Sequence, residues 1–543
     1  MTDAILISDS GNDTFSATSP LRLQINSKVA LIQNVVNFLN NNGQIVPPVH
    51  GENEKNWHCA PKLNGLVLYD FLQKEGHQIE LINSYSEEKK LFLKCLENNP
   101  KVVVISTTFI SNKKTLYDLV NDIRQVAPDI YIIAGGPFVL SSYLLAKRAH
   151  DNSYDTTSPR EDYLFLTHEK RPHVDLYIID KGGEQILSEA IERIKNHKSV
   201  DNLPNTAKWN GKEYIFSDFK LLDPLKIRIS WKDLPVPVFN RGVVNVQASI
   251  GCPNSCQFCN FVKDKKYLSV KPLNELIWEL KEISDKGIKY VRFVDDNFRL
   301  GRRDLNDVCR RFINESLDIK WMSFIRASTL QQTDINLLKE SGCVETQMGI
   351  ESVDKSILNN MNKESDPEMY YRVISDLLEV GINCSCCFIV GFPGETKETF
   401  DKTLNFIQSI PNDSQKGLFF WSIYPFLLAP LSPIYEPENR KKYNLTGYMN
   451  KWEHSTMKSE QAYQYILDAF MQIDSASPIY SGDNMEMLMA LSTNQKNRFM
   501  KARHELSKRY LNKPLDNSVA FETFRDIIYG PSGTDYQSIS LTS

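Results

Sequence analysis

Three closely spaced cysteines, Cys252, Cys256 and Cys259, are the residues of this chain best suited to carry out chemistry. Their spacing, C-x3-C-x2-C, allows three thiolates to bind three irons of a [4Fe–4S] cube and leaves the fourth iron open to a small molecule. Sulfur ligands select Fe–S clusters, zinc or copper(I) over hard cations. The alternatives are a structural zinc site, buried free thiols and a disulfide. A zinc site lacks its second pair, because no C-x2-C or H-x3-H follows at finger distance. The spacing therefore favours an open cluster.

Composition limits the classes of protein to be considered. A chain of 543 residues predicts about two to four domains, and 41% hydrophobic with 24% charged residues is typical of folded cores. A net charge of -4 gives no electrostatic reason to expect a nucleic-acid or membrane partner. The longest apolar runs, such as 102–105 and 386–390, are too short to span a bilayer. The polar N-terminus lacks a signal-peptide core, and ten cysteines in so long a chain are not a disulfide scaffold. We expect a cytoplasmic protein.

The first part of the chain predicts a flexible leader followed by an α/β domain. Residues 1–27 are rich in Ser, Thr, Asn and Asp and predict the leader. Over 28–200, short apolar runs alternate with amphipathic segments, which predicts a doubly wound, Rossmann-like sheet. The strands are predicted at 29–33, 78–82, 102–106, 130–134 and 176–180.

Polar residues and glycines follow three of these predicted strands. Ligands of doubly wound sheets bind at the carboxyl ends of the strands, where glycines allow close approach of the backbone. For any one glycine, a tight turn is the alternative. The candidate residues are Ser106, Thr107, Gly135, Gly136, Gly182, Gly183 and Glu184.

A second alternating region predicts a partial TIM-type barrel of six β/α units over 241–426. An irregular stretch at 201–240 is expected to be a linker, and 427–543 a helical region. The cysteine loop directly follows the first barrel strand, where sites of such folds lie. The strands are predicted at 244–250, 290–296, 319–327, 344–350, 384–391 and 417–425.

The other barrel strands also end in polar or glycine residues. Each is weak evidence by itself, since aspartates there can cap the next helix and an arginine can form a surface ion pair. Their order after the cysteine loop is the stronger signal. The candidates are Asp295, Asp296 and Asn297 after the second strand, Arg326 after the third, Gln347, Glu351 and Ser352 at the fourth, and Gly391 and Glu395 after the fifth.

The cysteine spacing, with Phe258 directly before Cys259, resembles the radical S-adenosylmethionine (SAM) signature. The motifs at 349–352 and 391–396 resemble the branch that contains methylthiotransferases and cobalamin-dependent enzymes, and the likeness covers about residues 243–426. It implies that the open iron binds SAM and that one electron cleaves SAM to a 5′-deoxyadenosyl radical, with Phe258 against the adenine. It also implies that the strand-end residues from Asp295 to Glu395 contact SAM.

The N-terminal sheet separates the two groups of that branch. Cys59 and Cys95 are too few to bind a second cluster of the methylthiotransferase kind. The sheet therefore resembles that of the cobalamin-binding group, which includes the class B methyltransferases, and implies that the candidates from Ser106 to Glu184 surround the corrin. The chain lacks the Asp-x-His-x-x-Gly motif that supplies a lower axial ligand in many members. His58 lies in the corresponding loop, and a loop histidine without a role is the alternative.

The resemblance implies a cobalamin-dependent methyltransferase acting on an unactivated carbon, or on phosphorus, of a peptide or secondary-metabolite precursor. It also implies an electron donor such as flavodoxin or ferredoxin. The alternatives are a radical rearrangement or cyclisation without methyl transfer, and a cluster-containing sensor. Strand alternation predicts Cys384 and Cys386 on one face and Cys387 on the other. Core packing is favoured for these thiols, and the alternative is that one facing the barrel donates hydrogen to a radical. Trp452 and His454 suit either substrate contact or, as the alternative, packing of the tryptophan and a surface position of the histidine.

Overall fold

Two mainly parallel sheets, together with the helices packed on them, form the hydrophobic core of the protein. The structure is a computed structural model. It describes residues 2–11, 23–25, 28–40, 61–167, 174–180, 182–220, 229–235, 238–239, 242–260, 269–298, 304–363, 365–412, 416–513 and 515–530.

The N-terminal sheet has the strand order β4-β1-β5-β6-β7-β8-β9. Its first five members are parallel, and β8 and β9 extend it as antiparallel strands. The strands of this region are β1 (Ala4–Ile7), β2 (Gln24–Ile25), β3 (Lys28–Val29), β4 (Ile79–Ile82), β5 (Val102–Ser106), β6 (Tyr131–Gly135), β7 (Leu176–Ile178), β8 (Thr206–Trp209) and β9 (Tyr214–Phe216). The helices are α1 (Ile32–Asn40), α2 (Leu63–Lys74), α3 (Lys89–Leu96), α4 (Lys113–Val126), α5 (Pro137–Arg148) and α6 (Glu184–Lys195).

The expectation of a flexible leader over 1–27 is wrong for β1. All four of its residues are buried, and it lies between β4 and β5. A run of consecutive apolar residues is typical of a parallel strand that is covered on both faces. Residues 12–22, 26 and 27 lie outside the described part of the chain.

Two further N-terminal boundaries differ from the prediction. The strand predicted at 29–33 is reduced to β3, and α1 begins at Ile32, because Ile32, Val35, Val36 and Leu39 repeat at helical spacing and are buried together. The linker predicted to start at 201 instead contains β8 and β9, so the sheet continues to Phe216.

The second sheet confirms the predicted barrel units. All its pairs are parallel, in the order β10-β13-β14-β15-β16-β17-β21, and the described residues show no pairing between the two edge strands. Its strands and those of the cysteine loop are β10 (Val243–Val246), β11 (Ser249–Ile250), β12 (Ser269–Val270), β13 (Tyr290–Phe293), β14 (Lys320–Phe324), β15 (Cys343–Glu351), β16 (Asn383–Val390) and β17 (Phe419–Pro425). The helices are α7 (Leu273–Asp285), α8 (Leu305–Asn314), α9 (Ala327–Leu330), α10 (Ile335–Glu340), α11 (Lys355–Asn360), α12 (Pro367–Glu379) and α13 (Lys397–Ser409).

The prediction of a helical region over 427–543 is incomplete, because this region also contains strands. Three short strands form an antiparallel sheet, and β21 joins the barrel sheet beside β17. The elements are α14 (Pro437–Tyr443), β18 (Thr446–Tyr448), β19 (Lys451–His454), β20 (Met457–Lys458), α15 (Ser459–Gln472), β21 (Ser477–Pro478), α16 (Thr493–Asn512) and α17 (Asn517–Tyr529). Among the described residues, no helix is both long enough and apolar enough to cross a bilayer.

A buried ion pair ties the C-terminal region to α1. Both guanidinium nitrogens Nη1 and Nη2 of Arg503 lie 2.7 Å from the Asp483 carboxylate, and both side chains are almost fully buried. Asp483 also accepts hydrogen bonds from the backbone N–H groups of Ile32 and Tyr480. The carboxylate therefore joins α16, the loop after β21 and the start of α1.

We expect Arg503→Met to lower the free energy of unfolding by about 3–5 kcal/mol, because it leaves Asp483 buried without its cation. Urea unfolding followed by circular dichroism measures the change. Lys458→Met, which removes an exposed ion pair with Glu453, is the control and should change stability by less than about 1 kcal/mol. Equal effects of the two substitutions would contradict the role given to Asp483.

Candidate functional site

Two aspartates at the end of β13 hold the start of the cysteine loop. Asp295 accepts hydrogen bonds from the backbone of Ala248 and from the backbone and hydroxyl of Ser249. Asp296 accepts from the backbone N–H of Gly251 over 2.8 Å. Burial raises the pKa of Asp295 to about 6, although the hydrogen bonds oppose this rise. Both carboxylates brace the loop, and the cap of α8 is supplied by Asp304 instead.

The loop is held from its other side by the chain after α11 and by the C-terminal region. The N–H of Gln257 donates to the Met361 carbonyl over 2.9 Å, and the Asn362 amide donates to the Ser255 carbonyl over 2.8 Å. The carbonyl of Gln257 accepts from the Ile434 N–H over 2.9 Å. The loop that carries the cysteines is therefore fixed by three separate parts of the fold.

The three predicted cluster cysteines lie on this one loop, and Cys256 is the most buried of them. The Asn254 amide is 3.1 Å from the Cys252 sulfur, and Arg326 Nη1 is 3.9 Å from the Cys256 sulfur. Among the described residues, no three His, Cys, Asp or Glu side chains converge as in a preformed metal site. Metal binding draws thiolates together and couples to local folding, and the three cysteines share one loop.

Glu351 ends β15 in a left-handed conformation, with φ +65°. The β15–β16 register shifts at this point. Its carboxylate Oε1 lies 2.8 Å from the ammonium of Lys363, and both side chains are buried. A Cβ on Gly349 would lie 2.2 Å from that same Oε1, so glycine is needed for the carboxylate to occupy this place. Sequence reasoning missed Lys363, because no local rule links residues that are 12 positions apart across a strand end and a helix.

A cavity of about 290 Å³ opens between β13, β14 and β15. This volume is close to the lower end of the range of volumes of small-molecule binding sites. The predicted residues Asp295, Asp296 and Gln347 line it, together with Arg292, Phe293, Val294, Met322, Ser323 and Phe324.

The motif at the end of β16 is buried under the C-terminal sheet. A Cβ on Gly391, which has φ +90°, would lie 2.3 Å from the Trp452 ring, so the indole packs directly on this glycine. His454 Nε2 lies 3.0 Å from the Gly391 carbonyl, and its ring stacks on Trp452. The structure therefore shows packing for Trp452. His454 is also buried, at 5% exposure, so its interpretation as a surface histidine is wrong.

Glu395 turns back onto the same glycine and accepts the hydrogen bond of its N–H. Its other oxygen, Oε1, is buried and has no hydrogen-bond partner in the described part of the chain. Burial raises the pKa of Glu395 to about 8, and the Gly391 N–H only partly offsets this effect.

The remaining candidates of the barrel occupy different environments. Ser352 is fully buried and accepts from the Asp354 N–H over 3.1 Å, and the Asn297 side chain accepts from the Arg326 N–H over 3.3 Å. Phe258 is partly buried against the core. Cys384 and Cys386 are fully buried, whereas Cys387 is partly exposed, as strand alternation predicts.

The candidates of the N-terminal sheet lie along its carboxyl edge. Counted in chain order, the five parallel strands have the order 2-1-3-4-5, and in such sheets ligands bind where β1 and β5 diverge. Asn64 bridges this point, since its amide donates to the Ser8 carbonyl and to Ser106 Oγ over 2.8 Å each. Within the described residues, the buried Ser8 Oγ and Asn64 Oδ1 have no hydrogen-bond partner.

Three glycines of this edge allow close packing of the chain on itself. A Cβ on Gly183 would lie 2.5 Å from the Ile178 side chain, and one on Gly135 would lie 3.3 Å from it. Gly136 has φ +113° and lies against Thr107, whose hydroxyl donates to the Gly135 carbonyl.

The two other candidates of the edge, Gly182 and Glu184, lie beside Asp180. The Gly182 N–H donates to the Asp180 carboxylate over 3.3 Å. Burial raises the pKa of Glu184 to about 7, with a smaller contribution from Asp180. His58 lies outside the described residues.

The carboxyl edge of the N-terminal sheet faces the barrel. The Asn245 amide of β10 donates to the carbonyl of Pro61, just before α2, over 3.3 Å. In the chain after α5, the Tyr154 hydroxyl accepts a hydrogen bond from the Leu431 N–H, and the Asp155 carboxylate accepts one from the Tyr435 hydroxyl. Both donors are close in sequence to Ile434, which holds the cysteine loop. The two predicted binding regions thus belong to connected parts of the structure.

Residues 246–407 match the model of the radical SAM superfamily. Together with the cysteine loop and the parallel sheet, this match defines the protein as a radical SAM enzyme. A radical SAM domain implies a [4Fe–4S] cluster and SAM as cofactors.

Two relatives extend the likeness beyond this domain. An uncharacterized methyltransferase of Pyrococcus horikoshii is 25% identical over 430 residues, which are 75% of this chain and 86% of the relative. The anaerobic magnesium-protoporphyrin IX monomethyl ester cyclase of Cereibacter sphaeroides is 24% identical over 66% of this chain and 58% of its own length.

Two solved structures have a similar fold. The radical SAM methyltransferase TsrM from Kitasatospora setae, with cobalamin and a [4Fe–4S] cluster bound, matches with a TM-score of 0.59 at 13% identity over 94% of this chain and 99% of its own. The cobalamin-dependent radical enzyme OxsB, with aqua-cobalamin and SAM bound, matches with a TM-score of 0.56 at 14% identity over 97% of this chain and 75% of its own. The predicted fold class is confirmed by these likenesses.

Glu395 predicts a pH dependence of stability. Between its unfolded pKa of 4.5 and its folded pKa of about 8, the folded protein keeps a proton that the unfolded chain releases, so rising pH lowers the free energy of unfolding. Relative to Glu395→Gln, the wild type should lose up to about 1.4 kcal/mol per pH unit over this range in urea unfolding.

The control for this experiment is Glu398→Gln, which changes an exposed glutamate in the first turn of α13. This variant should keep the slope of the wild type. Parallel lines for the wild type and Glu395→Gln would show that Glu395 is ionised in the folded protein.

Proposed function

We propose that the protein is a cobalamin-dependent radical SAM methyltransferase. The observation that carries the proposal is the contact of a doubly wound N-terminal sheet, through its carboxyl edge, with β10 of a radical SAM domain, the strand that precedes the cysteine loop. The solved structures of TsrM and OxsB, which have a similar fold, contain bound cobalamin. The substrate class that we propose is an unactivated carbon or phosphorus of a peptide or secondary-metabolite precursor.

The N-terminal edge fits a ligand rich in hydrogen-bonding groups. Buried polar groups without a partner are costly in a folded protein, and Ser8 Oγ and Asn64 Oδ1 are two such groups at the point where β1 and β5 diverge. The amide side chains of a corrin can donate to both oxygens. The proposed corrin-binding residues are therefore Ser106, Thr107, Gly135, Gly136, Gly182, Gly183 and Glu184, extended by Ser8 and Asn64.

In the barrel, each group of residues has a distinct task. The bound cofactors supply a 5′-deoxyadenosyl radical and a transferable methyl group, and an electron donor such as flavodoxin or ferredoxin supplies the electron. Cys252, Cys256 and Cys259 hold the cluster, and Arg326 places a positive charge near the Cys256 sulfur. Phe258, Gln347 and Glu351 are proposed to contact SAM directly. Asp295, Asp296, Asn297, Ser352, Gly391 and Glu395 are proposed to act on SAM through the shape of the loops that they hold.

Anaerobic reconstitution should give about four irons per chain and one corrin. Cys256→Ala should lose the iron and the formation of 5′-deoxyadenosine, because an open cluster requires all three thiolates. The product of the full reaction should be heavier than the substrate by one methyl group. A product of unchanged mass would instead support a rearrangement or cyclisation, and failure to bind a corrin would refute methyl transfer by this route.

The corrin site can be tested separately from the cluster. Asn64→Ala removes both hydrogen bonds at the divergence of β1 and β5 and should weaken corrin binding by about tenfold or more at unchanged iron content. Asn210→Ala, in the exposed β8–β9 turn, is the control and should bind the corrin as the wild type does. Equal corrin affinity of the two variants would place the corrin elsewhere.

A further inference from the structure

The three residues directly after α11, Met361 to Lys363, contact two separate parts of the site. Met361 and Asn362 hold the cysteine loop at Gln257 and Ser255 through the hydrogen bonds described above. Asn362 has φ +52°, a left-handed turn that redirects the chain after the helix. The next residue, Lys363, points to the end of β15 instead.

The Lys363 side chain binds to the end of β15. Its ammonium donates to the Gly349 carbonyl over 2.6 Å and to Glu351 Oε1 over 2.8 Å, and only 6% of the side chain is exposed. A buried ammonium is stable only when its charge is paired and its N–H groups have acceptors. The lysine therefore fixes one oxygen of the Glu351 carboxylate in place.

The backbone around Glu351 is arranged for this placement. A non-glycine residue with φ +65° is strained, and strain of this kind persists where the surrounding structure enforces it, often at functional sites. The ladder between β15 and β16 is also irregular here. Since Lys363 binds Oε1, the second carboxylate oxygen can accept from a hydroxyl or ammonium group of a ligand.

We propose that Lys363 is a positioning residue that holds Glu351 ready for SAM and couples it to the cysteine loop. This inference rests on the proposal that Glu351 contacts SAM. It adds Lys363 as a residue that contacts neither SAM nor the cluster. It also proposes that residues 361–363 fix the position of the SAM-binding carboxylate relative to the cysteine loop. Movement of one is then transmitted to the other through three consecutive residues.

The test measures SAM binding to anaerobically reconstituted protein without corrin, by titration of the EPR signal of the reduced cluster. Lys363→Met should keep about four irons per chain and raise the SAM dissociation constant by about tenfold or more. Lys402→Met is the matched control, since Lys402 pairs with Asp354 at the start of α11 but is exposed. It should leave the dissociation constant unchanged.

A double variant shows whether Lys363 acts through Glu351. Glu351→Gln should weaken SAM binding, and adding Lys363→Met to it should change the affinity by less than about twofold, because the partner is already altered. The double variant also removes both charges, so it avoids the unpaired buried carboxylate that can unfold Lys363→Met. Unchanged affinity in Lys363→Met, or multiplied effects in the double variant, would overturn the proposal.

The iron content of the variants distinguishes support of the cysteine loop from positioning of Glu351. If the double variant loses iron while Glu351→Gln keeps it, Lys363 serves the cysteine loop alone and the proposed positioning of Glu351 is wrong. A protein that shows the expected SAM affinities but binds no corrin would retain this inference and refute the methyltransferase.

Discussion

The geometry of the cysteine loop depends on hydrogen bonds from outside the loop. Within it, the Cys259 N–H donates to the Cys256 carbonyl, which forms only one turn. Further support comes from the end of β13, from the chain after α11 and from Ile434 of the C-terminal region, and parallel pairing brings the carboxyl ends of the strands to the same edge of the sheet. A carboxylate such as Asp295 is well suited to this task, because its two oxygens accept from two backbone N–H groups and a hydroxyl at once. The register of the sheet therefore sets the shape of the loop.

The barrel was predictable from the sequence, because each of its units repeats the same local signals. Apolar runs of strand length alternate with amphipathic helices, and the structure places all six predicted strands within a few residues of their expected positions. The site residues at the strand ends followed from the same rule. Lys363 could not be predicted, because its partners depend on how α11 returns to the strand end, and this is tertiary information.

The two ends of the chain were predicted less well, for different physical reasons. β1 has only four apolar residues, and the polar sequence after it dominates any window that includes it. The C-terminal strands are short. β18 has three residues and β21 has two, and β19 alternates over only four residues, which is too little to predict a strand. The position of these strands is set by contacts with distant parts of the chain. Examples are the packing of Trp452 on Gly391 and the hydrogen bond that the Ile32 N–H, at the start of α1, donates to the Asp483 carboxylate.

The last strand of the barrel sheet also affects how the protein behaves in solution. An open sheet exposes unpaired backbone groups at its edges, and such edges can pair with other chains. On this side the edge is β21, which is only two residues long and ends in Pro478, a residue without a backbone N–H. Both residues are buried, and the guanidinium of Arg503 donates to the Pro478 carbonyl. The edge strand is thus short, Pro478 offers no N–H donor, and the Pro478 carbonyl is already hydrogen-bonded. This side of the sheet is therefore a poor template for pairing with another chain.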